Sequence, residues 1–141
     1  ELHCLYPYID TKGESNENSQ VLRLTCGKFG ALFTGDTEGS GETAVTGILE
    51  QEQTACQFLK VAHHGSKNST SIRFLEAVKP VAGIISCGEG NRYGHPHREL
   101  MERLEEEKVE VFQTKDWGAV FVVTDGKRTE VSFQHKKSMV N

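Results

Sequence analysis

Apolar and polar residues alternate with strand-like spacing at both ends of the chain, and helical spacing occupies the middle. Leu2 to Tyr6 reads as a short strand stopped by Pro7. Residues Asp10 to Ser19 are polar and carry Gly13 and two asparagines, so they read as a loop. Gln20 to Thr25 alternates as a strand, Gly27-Lys28-Phe29-Gly30 turns it, and Ala31 to Thr34 returns as the second arm of a hairpin closed by Gly35-Asp36. A helix is predicted over about Gly41 to Gln53, with Ser40 as its cap and Val45, Ile48 and Leu49 on one face. A strand beginning at Phe58 runs into His63. Ser69 or Ser71 caps a second helix that places Ile72, Leu75 and Val78 inward and ends at Pro80.

Val81 to Ser86 is a continuous apolar run, the pattern of a strand covered on both faces. Pro96 suits the first position of a third helix running through Leu100, Met101 and Leu104 to about Glu107. Three more strands follow, Val109 to Gln113, Gly118 to Thr124 and Arg128 to Gln134, and a loose tail begins at Lys136. The order β-β-β-α-β-α-β-α-β-β-β predicts an α/β layer structure, and its all-β ends predict a mixed sheet with flanking helices. We expect one domain over 1–135 and a flexible tail over 136–141.

Composition narrows the class. A chain of 141 residues with 36% hydrophobic and 26% charged residues suits one soluble globular domain. No apolar run approaches the roughly 20 residues that span a membrane. Glu1 in place of an initiating methionine suggests an excised or processed piece. The net charge of −4 argues against a surface that is basic throughout. Yet Lys60, Lys67, Arg73, Arg92 and Arg98 accompany four histidines in or beside three loops, while acids gather between Glu102 and Glu110. A locally positive mouth on an acidic body would suit an anionic substrate; scattered surface charge is the plain alternative. Cys4, Cys26, Cys56 and Cys87 form no C-x-x-C pair and read as small buried hydrophobes in a reduced chain.

The chemistry gathers where strands end. Leu32-Phe33-Thr34-Gly35-Asp36 ends on a carboxylate. Phe58-Leu59-Lys60-Val61-Ala62-His63-His64-Gly65-Ser66 ends on two histidines, and Ile84-Ile85-Ser86-Cys87 leads into Gly90-Asn91-Arg92-Tyr93-Gly94-His95-Pro96-His97. Histidine beside a carboxylate is a common recipe for a transition metal, and ligands collect at the carboxyl ends of strands. Asp36 is equally a turn residue after glycine. Ser66, Lys67 and Ser69 fit either anion contacts or a helix start. Asn91 and Tyr93 fit either substrate contacts or loop pinning, and Trp117 fits strand-edge packing.

These blocks, with Asn18-Ser19-Gln20-Val21-Leu22, resemble the metallo-β-lactamase-fold domain at the C-terminal end of ComEC-type DNA-uptake competence proteins and its stand-alone relatives. The resemblance covers nearly the whole chain. It implies an αβ/βα sandwich of which this chain is the second half, and a site for one or two divalent ions, zinc or manganese. It implies Asp36 as a bridging carboxylate and His63 as the late histidine ligand, with His64 as the alternate. By the same resemblance His95 would donate to a leaving group or bind phosphate; His64 reads as a neighbour of the metal ligands or a general acid/base, and Ser66, Lys67, Asn91 and Tyr93 read as candidate contacts to a phosphoester or DNA substrate. Two departures stand out. The H-x-[HD]-x-D-H segment of the family's first half does not occur, and Tyr6 stands where relatives often have histidine.

Two functions follow from this. One is a metal-dependent phosphodiesterase or nuclease part, within a bacterial membrane protein or alone, on a side of the membrane the sequence does not assign. The other is a metal-poor scaffold or binding module. In either case Val21, Leu24, Phe33 and Phe121 are expected to leave an apolar patch, covered by a first-half polypeptide or by a second copy.

Overall fold

The computed structural model describes residues 1–7 and 15–135; expectations placed on 8–14 and on the tail from Lys136 lie outside the described residues. The strands are β1 (Leu2–Tyr6), β2 (Val21–Cys26), β3 (Phe29–Phe33), β4 (Phe58–Lys60), β5 (Ala82–Ile85), β6 (Glu110–Gln113), β7 (Val120–Thr124) and β8 (Thr129–Phe133). The helices are α1 (Gly39–Glu52), α2 (Ile72–Val78), α3 (Arg98–Glu106) and the single turn α4 (Thr114–Trp117). A 3₁₀ turn covers Ala62–Gly65. The strands β1 to β6 form one sheet in chain order, and β7 and β8 form a separate antiparallel hairpin. The pairs β1–β2 and β2–β3 are antiparallel; β3–β4, β4–β5 and β5–β6 are parallel. The fold is therefore a mixed α/β sheet flanked by helices, as the pattern predicts.

Side chains alternate across the sheet, so each strand divides its residues between two faces. Val21, Leu32, Leu59 and Ile85 are fully buried and share one core with Val45 and Leu49 of α1, Phe74, Leu75 and Val78 of α2, and Leu100 and Leu104 of α3. Each such side chain contributes about 1.5–3 kcal/mol of burial. The opposite face follows from the register, which pairs Leu24 with Ala31, Ala31 with Phe58, and Lys60 with both Phe33 and Ile84. No described helix covers it. The β7–β8 hairpin crosses part of it, leaving an apolar groove of about 370 Å³ lined by Leu24, Phe33, Phe58 and Ile84 of the sheet and Val120 and Val122 of the hairpin. The hairpin is held at its ends. Phe133 packs on Phe112 and Trp117, with ring centroids 5.2 and 4.4 Å apart. At the other end, the Lys28 N–H donates to the Gly126 carbonyl at 2.8 Å. A Cβ on Gly27 would stand 2.6 Å from that same oxygen, so this close approach needs glycine.

The structure changes several sequence-based expectations. Val21 belongs to the helix-covered core rather than the open face, while Phe33 and Phe121 do stay exposed. Only Cys56 is a buried thiol; Cys4 and Cys26 are exposed and Cys87 is half-buried. Glu38, not Ser40, precedes α1 as its cap residue. Ser71 caps α2, accepting from the Phe74 N–H at 3.3 Å. Pro96 lies ahead of α3 rather than at its first position; His97 is the cap residue, and the peptide between His95 and Pro96 is cis. The reason is docking: the His97 N–H donates to the Gly65 carbonyl at 2.9 Å before the helix begins. Val81 is exposed, so full cover of the fifth strand holds only for Ala82, Gly83 and Ile85.

Candidate metal centre

The loops after β3, β4 and β5 meet because those strands are consecutive and parallel. The turn Thr34-Gly35-Asp36 is tied to the next loop by the His63 N–H, which donates to the Gly35 carbonyl at 3.1 Å, and by the Lys60 ammonium, which donates to the same oxygen at 2.8 Å. The Asp36 N–H donates to the Ser19 hydroxyl at 3.3 Å. Its carboxylate is thereby held at the rim, 3.9 Å from the Lys60 ammonium. Burial pushes that ammonium below its ordinary pKa, and Asp36 pulls it partly back.

Two successive histidines carry left-handed backbone, His63 at φ 45° and His64 at φ 54°. Each residue of this kind stores about 1–3 kcal/mol of strain, sustained only where the surroundings over-determine it. The strain points the two rings apart. His64 places Nε2 3.6 Å from Asp36 Oδ1, and its Nδ1 lies 2.7 Å from the Ser86 carbonyl. A carbonyl only accepts, so Nδ1 carries the proton. Nε2 then presents either a lone pair, leaving room for a cation beside the carboxylate, or a second N–H that makes an ion pair with it. His63 turns the other way, its Nδ1 donating to Glu38 Oε2 at 3.2 Å. The histidine facing Asp36 is thus His64, and the partner of His63 is Glu38.

Gly65 follows at φ 93°, and a Cβ there would stand 2.6 Å from the Pro96 Cβ. That close approach joins the histidine turn to the loop around His95. His95 is buried, 5.6 Å from the His63 ring, 4.7 Å from His97 and stacked 5.7 Å from Tyr93. Burial, then the neighbouring His97, His63 and His64, hold it below the usual histidine range, with Asp36 opposing. Asn91 pins this loop: its Oδ1 accepts from the His95 N–H at 2.9 Å, and its Nδ2 donates to the Gly88 and His95 carbonyls at 3.0 and 2.6 Å. Tyr93 is exposed and carries the Arg92 guanidinium 4.7 Å above its ring.

An open cleft of about 460 Å³ lies against these residues, and His64, Ser86, Cys87, Asn91, Tyr93 and His95 line it. Asp36 stands at its edge through His64. Ser66 and Lys67 do not line it. Ser66 is 3% exposed, and its hydroxyl accepts from the Asn68 N–H at 3.2 Å, so it serves its own loop. The Lys67 N–H donates to His97 Nδ1 at 3.0 Å. The positive mouth also thins: Arg73 pairs with Glu50 at 2.7 Å and Arg98 with Glu102 at 3.3 Å, both away from the cleft. Sequence reasoning missed Glu38, Ser86, Thr114 and Arg103. Thr114 brackets Cys87, its hydroxyl accepting from the Cys87 N–H and donating to the Cys87 carbonyl, each at 2.9 Å. Glu38, Thr114 and Arg103 belong to no motif, and Ser86, though within the Ile84-Ile85-Ser86-Cys87 block, acts through its backbone carbonyl, so all four roles arise from tertiary contacts.

Among the described residues no three His, Cys, Asp or Glu side chains converge on one point to hold an ion. No described helix is long and apolar enough to cross a membrane.

No protein-family model matches the chain. It is 34% identical over 120 residues to ComE operon protein 3 of Bacillus subtilis, which is 85% of this chain and 15% of that protein. It is 36% identical over 127 residues to Recombination protein 2 of Haemophilus influenzae, covering 90% of this chain and 16% of the relative. Over 107 residues it is 34% identical to Competence protein ComA of Neisseria gonorrhoeae, covering 76% and 15%. The chain spans less than a fifth of the length of each. Over most of its own length, the chain is homologous to one segment of the ComEC-type competence proteins.

Proposed function

We propose that the chain supplies the second half of a metallo-β-lactamase-fold site that hydrolyses a phosphodiester, DNA above all, during DNA uptake. One observation carries this reading: Asp36 and His64 face each other across 3.6 Å, with the far nitrogen of His64 committed to a carbonyl. Metal-ligating histidines commonly donate their other ring N–H in this way, which fixes the tautomer that leaves a lone pair for the ion. Two donors on a tetrahedral zinc, each about 2.1 Å from it, stand roughly 3.4 Å apart, so the observed spacing fits. Zinc or manganese suits a nitrogen and oxygen pair of this kind. Two donors are too few for a closed site. The shortfall agrees with a first-half polypeptide bringing the remaining ligands, and with the short share of the relatives that the chain covers.

When bound, a divalent ion lowers the pKa of its water to roughly 7 and offsets charge developing on phosphorus. The chain's own residues do the rest. Asp36 and His64 hold the ion, and the Ser86 carbonyl orients His64. Lys60, 3.9 Å from Asp36, adds positive charge under an anionic substrate. His95, neutral at pH 7, carries a proton at the cleft wall, and Tyr93 shields it from solvent. His63 sits behind the pair, braced by Glu38, as a structural partner of the turn.

Calorimetric titration of the chain with Mn²⁺ and Zn²⁺ tests this. Saturable binding that falls at least tenfold in Asp36→Asn supports the reading; equal binding by both proteins overturns it. The donor count favours a second reading, a binding module that pairs with a first half or another partner without cutting. Such a module keeps its partner in excess chelator and never hydrolyses a phosphodiester when the full-length polypeptide is restored.

A further inference from the structure

We infer that Arg103 and Glu42 are positioning residues that grip the loop behind His64 and hold that imidazole toward Asp36. The inference rests on the cation-holding reading above.

The loop 67–71 carries a row of backbone groups ahead of α2. Arg103 of α3 donates from Nε to the Thr70 carbonyl at 3.1 Å. It also donates to the Lys67 and Ser69 carbonyls at 3.0 and 2.9 Å. Glu42 of α1, 7% exposed, accepts from the Thr70 N–H with one carboxylate oxygen and from the Ser71 N–H with the other, the latter at 2.9 Å. Carbonyls and amides of one segment are thus taken by opposite charges from two helices. Arg103 is suited to this because its planar guanidinium offers several donors in a fixed fork.

Helix capping alone does not account for the pattern. Ser71 already caps α2, and the carbonyls of Lys67 and Ser69 precede that helix. What they support lies upstream. The Ser69 hydroxyl donates to the Ala62 carbonyl at 3.2 Å, and the Ser66 N–H donates to the His63 carbonyl at 3.0 Å. The grip therefore reaches the two left-handed histidines through three residues. A strained turn keeps its shape only while such contacts hold it. Release of the loop frees His64 to leave the Ser86 carbonyl and to exchange tautomers. Its lone pair then no longer faces Asp36.

Arg103→Lys, which keeps the charge and loses the fork, and Glu42→Gln are the test variants. Long-range proton–nitrogen NMR reads the His64 tautomer, and Mn²⁺ titration reads the site. We expect wild type to hold one tautomer with the proton on Nδ1. Each variant should mix tautomers and lose roughly 10- to 100-fold in Mn²⁺ affinity, the range seen when the partners of a ligand are removed. A folded variant with the wild-type tautomer and wild-type affinity overturns the inference. Amide exchange in the wild-type protein gives a check that needs no variant. Slow exchange at Thr70 and Ser71 supports the grip, and exchange at free-loop rates overturns it. If wild type binds no Mn²⁺, the cation reading fails for this chain by itself, while the tautomer and exchange readouts still decide the positioning role.

Discussion

At the residue scale, the chemistry depends on backbone that few residues tolerate. Gly65 is the sharpest case. Replacing it with alanine places a Cβ against Pro96 at a φ of 93°. Strain and overpacking together should cost about 2–5 kcal/mol in urea unfolding, and Gly65→Ala should also lower Mn²⁺ affinity. His95 gives a pH prediction. Its folded pKa lies below the ordinary value, with burial the largest cause. The unfolded chain therefore binds the extra proton first, and the slope of stability with pH is positive in that window. Stability should be fully present above about pH 6.5 and fall as the pH drops toward the folded pKa. His95→Gln should flatten that part of the melting temperature against pH.

At the element scale, nearly every strand and helix was legible from spacing. Alternation marks β2, the glycine-flanked turn after it marks the hairpin arm β3, and the Val45, Leu49 spacing marks α1. The 3₁₀ turn and α4 were not legible, because neither carries a periodic signal and both are shaped by neighbours. The same limit explains the site. Asp36 could be read from its strand end, but which of two adjacent histidines faces it depends on φ angles that no local pattern encodes. Ser66 had the composition of an anion contact and is buried by its own loop. Arg73 and Arg98 looked like part of a basic mouth and are paired elsewhere. Thr114 shows how much rests on such contacts. In Thr114→Val both bonds to Cys87 are lost, leaving the Cys87 N–H and carbonyl without them. The variant should lose about 1–3 kcal/mol of stability, read as a lower urea midpoint.

At the scale of the whole molecule, the two faces of the sheet are unequal. One is sealed by three helices; the other exposes Phe33, at 44%, beside a groove under a hairpin whose Phe121 is 53% exposed. By strand alternation Val120 and Val122 face the groove, so Phe121 and Val123 stand on the hairpin's outer face, and exposed apolar side chains on both surfaces are open to a partner. The chain by itself should therefore bind an apolar dye and associate as its concentration rises in sedimentation experiments. Phe33→Lys combined with Phe121→Lys should reduce both. Dye binding and association unchanged in that double variant would place the apolar contact elsewhere.

The strand order has one more consequence. Because β1 to β6 lie side by side in the order of the chain, each strand leaving a ribosome finds its neighbour already made. The sheet can grow by accretion in chain order, the antiparallel hairpin of β2 and β3 first, while each parallel pair from β3 to β6 waits on a crossover segment, the slower kind of pairing. The aspartate, the histidine pair and the carbonyl that orients one of them come off three successive strands. They therefore come together once the fifth strand has joined the sheet, with no need of the hairpin that crosses the open face.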